Sequence, residues 1–412
     1  MHASLITCPC PMKSVSLPIF SEAKAAAEKP QGWPLLRLGF RPFYLGGALV
    51  AAIWVPLWLM LYLGHPLVPT AVPALFWHAH EMLFGFATAI IVGFLMTAGK
   101  NWTGLATPRG PALGALALLW LAARVASLTG PGWLYALLDV ALLPVVALIL
   151  ARLLWRAGNH RNLPLAGILL LLAVANGVFH LAALGWLEVP ALTPLYAGLA
   201  LITMIESVMA GRVIPAFTMA VNPGLRIVAN STLERSTLGL TAVALAWWVL
   251  APTHILGAML LGSAAVLQVL RLRGWRSRLS LNRPILWILH AAYAWMPLGL
   301  ACLALAQMGW LAPSVGVHAL ALGTTGGLII GMVTRTARGH TGRPLQVSKL
   351  EVTAYALVML AALVRLAGAL LPTAFYPLSL MLAASAWSLA FALYLAKFTP
   401  WLMQTRLDGK DG

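Results

Sequence analysis

Twelve apolar stretches, each close to the roughly 20 residues that a membrane-spanning helix needs, run along the chain. They fall at 43–63, 74–98, 111–129, 132–156, 162–184, 190–212, 234–252, 254–272, 284–308, 312–334, 348–371 and 374–396. The interruptions are short. The longest, 213–233, holds Pro215, Asn222-Pro223-Gly224 and Asn230-Ser231, which are turn and cap signals, and it is too short to fold alone. The pattern predicts an all-α integral membrane protein of about twelve helices. A single transmembrane domain would span 41–398, with tails at 1–40 and 399–412. The first tail has no apolar core of signal-peptide type.

Composition agrees with that reading. Hydrophobic residues make up 61% of the 412 positions and charged residues 9%, against about 25% charged in a soluble domain. The net charge of +17 would suggest nucleic acid in a soluble protein, but the placement of the charges argues otherwise. Of 27 Lys and Arg residues, 25 lie before the first stretch or cluster around the ends of the even-numbered ones, and only Arg124 and Arg365 depart from the pattern. The positive-inside rule then puts both termini in the cytoplasm. The basic charge is explained by topology, the partner is the lipid bilayer, and a nucleic-acid partner is discarded.

The chain also carries an internal similarity. When His80 is set against His318, Gly85 meets Gly323, Ile91 meets Ile329, Gly93 meets Gly331 and Thr103-Gly104 meets Thr341-Gly342, without a gap. Arg41-Pro42 opens the first helix as Arg283-Pro284 opens the ninth. Helices 1–2 therefore resemble helices 9–10. An offset of eight helices fits three pseudo-repeats of four.

Ionisable groups inside a membrane are costly and tend to be functional. Their depths, read from helix direction, fall into two layers. His78, His80, Glu81, His180 and His318 lie near the periplasmic face; His290, Glu206 and His340 lie toward the cytoplasmic one, near Arg212 and Arg335. Two residues on a helix are about 200° apart, so His78 and His80 address different neighbours, and Glu81 shares the side of His78. Imidazole is a common axial ligand of haem iron. The expected arrangement is a haem clamped by His80 and His318, with His78 a further haem candidate. A neighbouring metal site would use His78, Glu81 and His180, and Asn176, one turn before His180, would fix its tautomer. A second metal site would use His290, Glu206 and His340. His2, His65, His160 and His254 lie in the tail or loops. No CxxCH is present, so haem would be bound without covalent attachment. Nucleophile-elbow, phosphate-loop and dinucleotide motifs are also missing.

Arg41-Pro42-Phe43, Trp77-His78-Ala79-His80-Glu81-Met82, Asn101-Trp102-Thr103-Gly104, Gly211-Arg212-Val213-Ile214-Pro215, Leu289-His290 and Gly339-His340-Thr341-Gly342-Arg343-Pro344 together resemble the NnrS family across residues 33–400. That resemblance implies an inner-membrane, twelve-spanning protein containing haem b and copper, linked to nitric oxide metabolism, denitrification and nitrosative stress. The three-by-four pattern and the histidines on helices 2 and 10 also resemble the catalytic subunits of haem–copper oxidases and nitric oxide reductases. Those place further metal-binding histidines on helices 6 and 7, where this chain offers Glu206 and no histidine.

The function expected from these features is nitric oxide binding, or electron transfer with a redox partner, at a haem near the periplasmic face. An oxidoreductase activity toward a small diatomic ligand is left open. The rival readings are a secondary transporter and an accessory protein that delivers metal to denitrification enzymes.

Overall fold

The computed structural model describes residues 32–65, 67–251 and 253–410. His2, Cys8, Cys10, most of the basic N-terminal tail and the turn at Pro252 lie outside them. All regular structure among the described residues is helical. The twelve helices are α1 Phe40–Tyr62, α2 Ala74–Thr103, α3 Pro111–Thr129, α4 Gly132–Arg156, α5 Leu163–Ala183, α6 Leu192–Ala220, α7 Ser231–Leu250, α8 Ile255–Gly274, α9 Pro284–Gln307, α10 Pro313–His340, α11 Lys349–Leu370 and α12 Tyr376–Met403. Eleven are long and apolar enough to cross a membrane. The exception, α7, opens on a polar turn with Glu234 and Arg235.

Local chemistry sets the helix ends. Proline occupies the first turn of α3, α5, α9, α10 and α12, where its missing N–H costs nothing. The Asn230 side chain accepts from the backbone N–H groups of Thr232 and Leu233 at the start of α7. Ser348 and Glu351 form a reciprocal capping box on α11, which satisfies two donors that would otherwise be orphaned.

Several helices outrun their apolar windows. α2 continues from the expected 98 to Thr103 and stops at Gly104, whose φ of +69° closes the helix onto Lys100 O. α10 continues from the expected 334 through His340, with Gly339 and His340 in its last turn. The largest difference is α6, which passes through Arg212 and Pro215 to Ala220 and leaves only 221–230 as connection. Pro215 removes one helical bond, but Ile214, Pro215 and Thr218 are buried against neighbouring helices, and this packing carries the helix on.

Helices adjacent in sequence pack together, and α12 returns to pack against α1. α6 touches α2, α9 and α10, while α2 and α10 are the most enclosed spans. Each of these two helices widens into a π-helical segment, Glu81–Ala87 in α2 and Ala319–Gly326 in α10. In the register that matches His80 to His318, both segments start at the same position. The similarity seen in sequence is thus also a similarity of backbone. The matched glycines have matched duties: a Cβ on Gly85 would lie 2.7 Å from an Arg124 nitrogen, and one on Gly323 would lie 2.4 Å from the Trp295 ring. Between them, α1, α2, α6, α9 and α10 line a partly open apolar cavity of about 90 Å³, with Tyr44, Phe94, Glu206, Met209 and Leu289 in its wall.

Candidate metal centre

His80 is wholly buried at the point where α2, α3, α4 and α5 meet. Its Nε2 lies 2.8 Å from Asn176 Oδ1 and 3.3 Å from Asp139 Oδ2. Its Nδ1 lies 2.6 Å from the Tyr135 hydroxyl, which is itself 2.8 Å from Glu81 Oε1. His180 Nε2 is 3.0 Å from Asp139 Oδ2. His80, Asp139 and His180 thus offer three ligand atoms within 4.8 Å of one another, on three buried residues.

Spacing accounts for the convergence. Asn176 and His180 stand one turn apart on α5, so both meet the Asp139 side chain of α4. Tyr135 stands one turn before Asp139 on α4 and covers the other edge of the His80 ring. Phe179 stacks on the face of that ring at 4.5 Å, while Asn176 and Asp139 crowd Nε2 and Tyr135 crowds Nδ1, so neither nitrogen is open to a haem iron.

Arg124 sits between the two carboxylates. It donates to Glu81 Oε1 at 2.6 Å and pairs closely with Asp139 Oδ1. The glycine at position 85 leaves space for its guanidinium, and the cation also lies over the Tyr135 ring. Two carboxylates against one guanidinium leave the cluster with one net negative charge when the imidazoles are neutral. A buried uncompensated charge is expensive, so the site is suited to a cation. Two imidazoles and a carboxylate form a donor set used by iron, copper and zinc.

Two residues away, His78 addresses the other side of α2. Its ring stacks on Trp58 at 4.1 Å, and it lies within electrostatic reach of His318 and Arg365. Its Nδ1 is buried without a hydrogen-bond partner. His318 Nδ1 is 2.8 Å from Ser314 O, a bond that puts the proton on Nδ1 and leaves Nε2 with a free electron pair.

The structure therefore regroups the expected site residues. His318 keeps company with His78, and both edges of His80 are already engaged by Asn176, Asp139 and Tyr135. Residues matched by a rotational repeat need not face each other. Glu81 joins the His80 cluster through Arg124 and Tyr135 instead of orienting His78. Asn176 bonds His80 and Asp139 instead of His180.

The expected cytoplasmic-side group is not assembled. His290 Nε2 meets Thr218 Oγ1 at 3.1 Å. Thr218 stands twelve residues after Glu206 on the continuous α6, roughly 18 Å along its axis. Glu206 instead lines the central cavity. His340 packs on Phe40 at 5.4 Å, near Arg406, Lys100 and Arg41. Arg212 donates to Asn162 Oδ1 at 2.5 Å, and Arg335 lies over the Phe217 ring at 3.7 Å.

Asp139, Tyr135 and Arg124 are the site residues that the search by histidine missed. A signal for two of them was present: Arg124 broke the charge pattern, and Asp139 is the one acidic residue in its stretch.

The fold and the site define a polytopic helical membrane protein with a buried histidine–carboxylate cluster. The family profile described as NnrS protein matches residues 34–406, so the chain belongs to the NnrS family. This membership places it among membrane proteins connected with nitric oxide. Neither a search of curated proteins nor one of solved structures finds a match.

Proposed function

We propose that this protein handles nitric oxide at metal centres held near the membrane face opposite its termini, with both termini in the cytoplasm of an inner membrane. The observation that carries the reading is the buried His80–Asp139–His180 triad with its net negative charge. These residues would hold a copper ion. The family's haem does not fit at His80, whose ring nitrogens Asn176, Asp139 and Tyr135 already engage, but His78 and His318 retain open ring nitrogens and would address its iron. A haem or copper centre supplies a redox-active site that binds small diatomic ligands. The chain's own part is to fix the donors and exclude water. Asn176 and Tyr135 hold the His80 ring, Arg124 balances the carboxylates, and Phe179 covers the imidazole.

The test is metal analysis with an optical spectrum on protein produced with copper and haem supplied. Asp139→Asn and His80→Ala should lose copper and keep the haem band. His78→Ala and His318→Ala should change the haem band and keep copper. A wild type with neither metal, or a His80→Ala variant that retains all its copper, would overturn the proposal.

One observation favours a second reading. Glu206 lines the central cavity, and proton-coupled transporters carry ionisable groups at such midplane sites. Substrate-coupled proton flux that Glu206→Gln abolishes, in metal-free protein, would establish it.

A further inference from the structure

The two sides of α2 differ in charge. Around His80 the balance is negative; around His78 it is positive. Arg365, on α11, is 7% exposed. It donates to the Tyr376 hydroxyl at 3.2 Å and has Tyr62 nearby. No carboxylate pairs with it among the described residues. The remaining acidic side chains there are placed elsewhere. Glu81 and Asp139 serve Arg124; Glu234, Glu351 and Asp408 serve Arg271, Arg338 and Arg406. Glu206 lines the central cavity and Glu188 is exposed. Arg365 thus brings a full positive charge to two imidazoles with open nitrogens, His78 and His318.

A buried guanidinium needs an anionic partner, and its planar fork matches a planar oxyanion through two parallel hydrogen bonds. The geometry points to Arg365 as the anchor of an anion-binding subsite beside His78 and His318, built for a carboxylate or a nitrite-like monoanion. Tyr376 and Tyr62 add hydroxyl groups at its rim. Two sources offer that chemistry. One is the propionate arm of a haem whose iron these histidines address, which rests on the reading above. The other is a free monoanion reaching the site from the face opposite the termini, which does not.

Full-length protein in nanodiscs separates them, with haem transfer to an acceptor apoprotein, the haem midpoint potential and nitrite titration as readouts. If the anion is a propionate, Arg365→Gln loses haem about tenfold faster or more. It also lowers the midpoint potential, because a positive charge near the iron is gone, and the histidine-ligated spectrum is retained. If the anion is free, haem retention holds and nitrite affinity falls about tenfold or more. Arg365→Lys should give part of either effect, since it keeps the charge without the fork. Tyr376→Phe, which leaves the guanidinium in place, should give a smaller loss in the same direction and stands in should Arg365→Gln fail to fold. Unchanged haem retention, potential and nitrite affinity in Arg365→Lys and Tyr376→Phe would overturn the proposal. Wild-type protein with no haem and no affinity for nitrite would do the same. Copper content reports on the His80 cluster independently, so failure here is distinguishable from failure there.

Discussion

Asn176 ties His80 to Asp139: its carbonyl oxygen lies 2.8 Å from His80 Nε2, and its amide donates to Asp139 Oδ2 at 2.7 Å. The amide orientation makes Nε2 the protonated nitrogen of a neutral His80, so Nδ1 accepts from Tyr135. A cation held at Nε2 would require the other tautomer, with that proton moved to Nδ1 and the ring still neutral. The imidazole then keeps its hydrogen on Nδ1, directed at Tyr135, whose own hydroxyl turns to Glu81.

The cluster also predicts how metal uptake responds to acid. Protons compete with the metal for the two imidazoles and for Asp139, so affinity should fall as pH drops through the range where these donors protonate and level off above it. Metal titrations at several pH values would check it. Affinity that does not fall in acid would contradict the assignment.

Asn176→Ala removes a bridge without touching a ligand. It should loosen the metal by about 10–100-fold, as lost outer-shell partners commonly do. The rate of copper transfer to a chelator from variant and wild type measures this.

Arg124→Leu leaves Glu81 and Asp139 buried without their cation. We expect a loss of about 3–5 kcal/mol, the usual result of stranding one side of a buried pair. Adding Glu81→Gln to the same chain should recover part of the loss. Unfolding titrations of the single and double variants in mild detergent decide the point.

His290→Ala provides the contrast. Its ring bonds Thr218, far from the cluster, so metal content and the haem band should stay at wild-type values. Thr218 keeps its bond to Ile214 O, so the expected cost is in stability alone, about 1–3 kcal/mol from the lost hydrogen bond and the lost packing. A fall in copper content would move the centre away from His80.

Gly85→Ala would push a methyl group to within 2.7 Å of Arg124. The guanidinium would have to shift from Glu81, with a cost of about 1–3 kcal/mol for overpacking. Thermal stability and copper retention should fall together in this variant.

The twelve helices were legible because hydropathy and the alternation of basic loops report directly on lipid and topology. The division of labour on α2 was also legible, because a two-residue step on a helix turns a side chain by about 200°. The partners were not. Internal similarity matched His318 to His80, but similarity finds equivalent residues and contact joins complementary ones, so His318 sits with His78. Glu206 and His290 looked equal in depth only while α6 was expected to end at 212. Asp139 stands out in the sequence as a lone acid in an apolar stretch, but its partners do not; its role becomes visible only when α3 and α5 bring Arg124, Asn176 and His180 to it.

The π segment of α2 separates its two working ends. Its extra residue offsets everything after Ala87 by about 100° of rotation relative to an unbroken α-helix. Ile90, Ile91 and Phe94, which line the central cavity, owe their direction to that offset, whereas His78 and His80 precede it. Deleting one residue from 81–87 would act as a phase shift: the ligand end would keep its aim, and the cavity end would present a different stripe of side chains to α6.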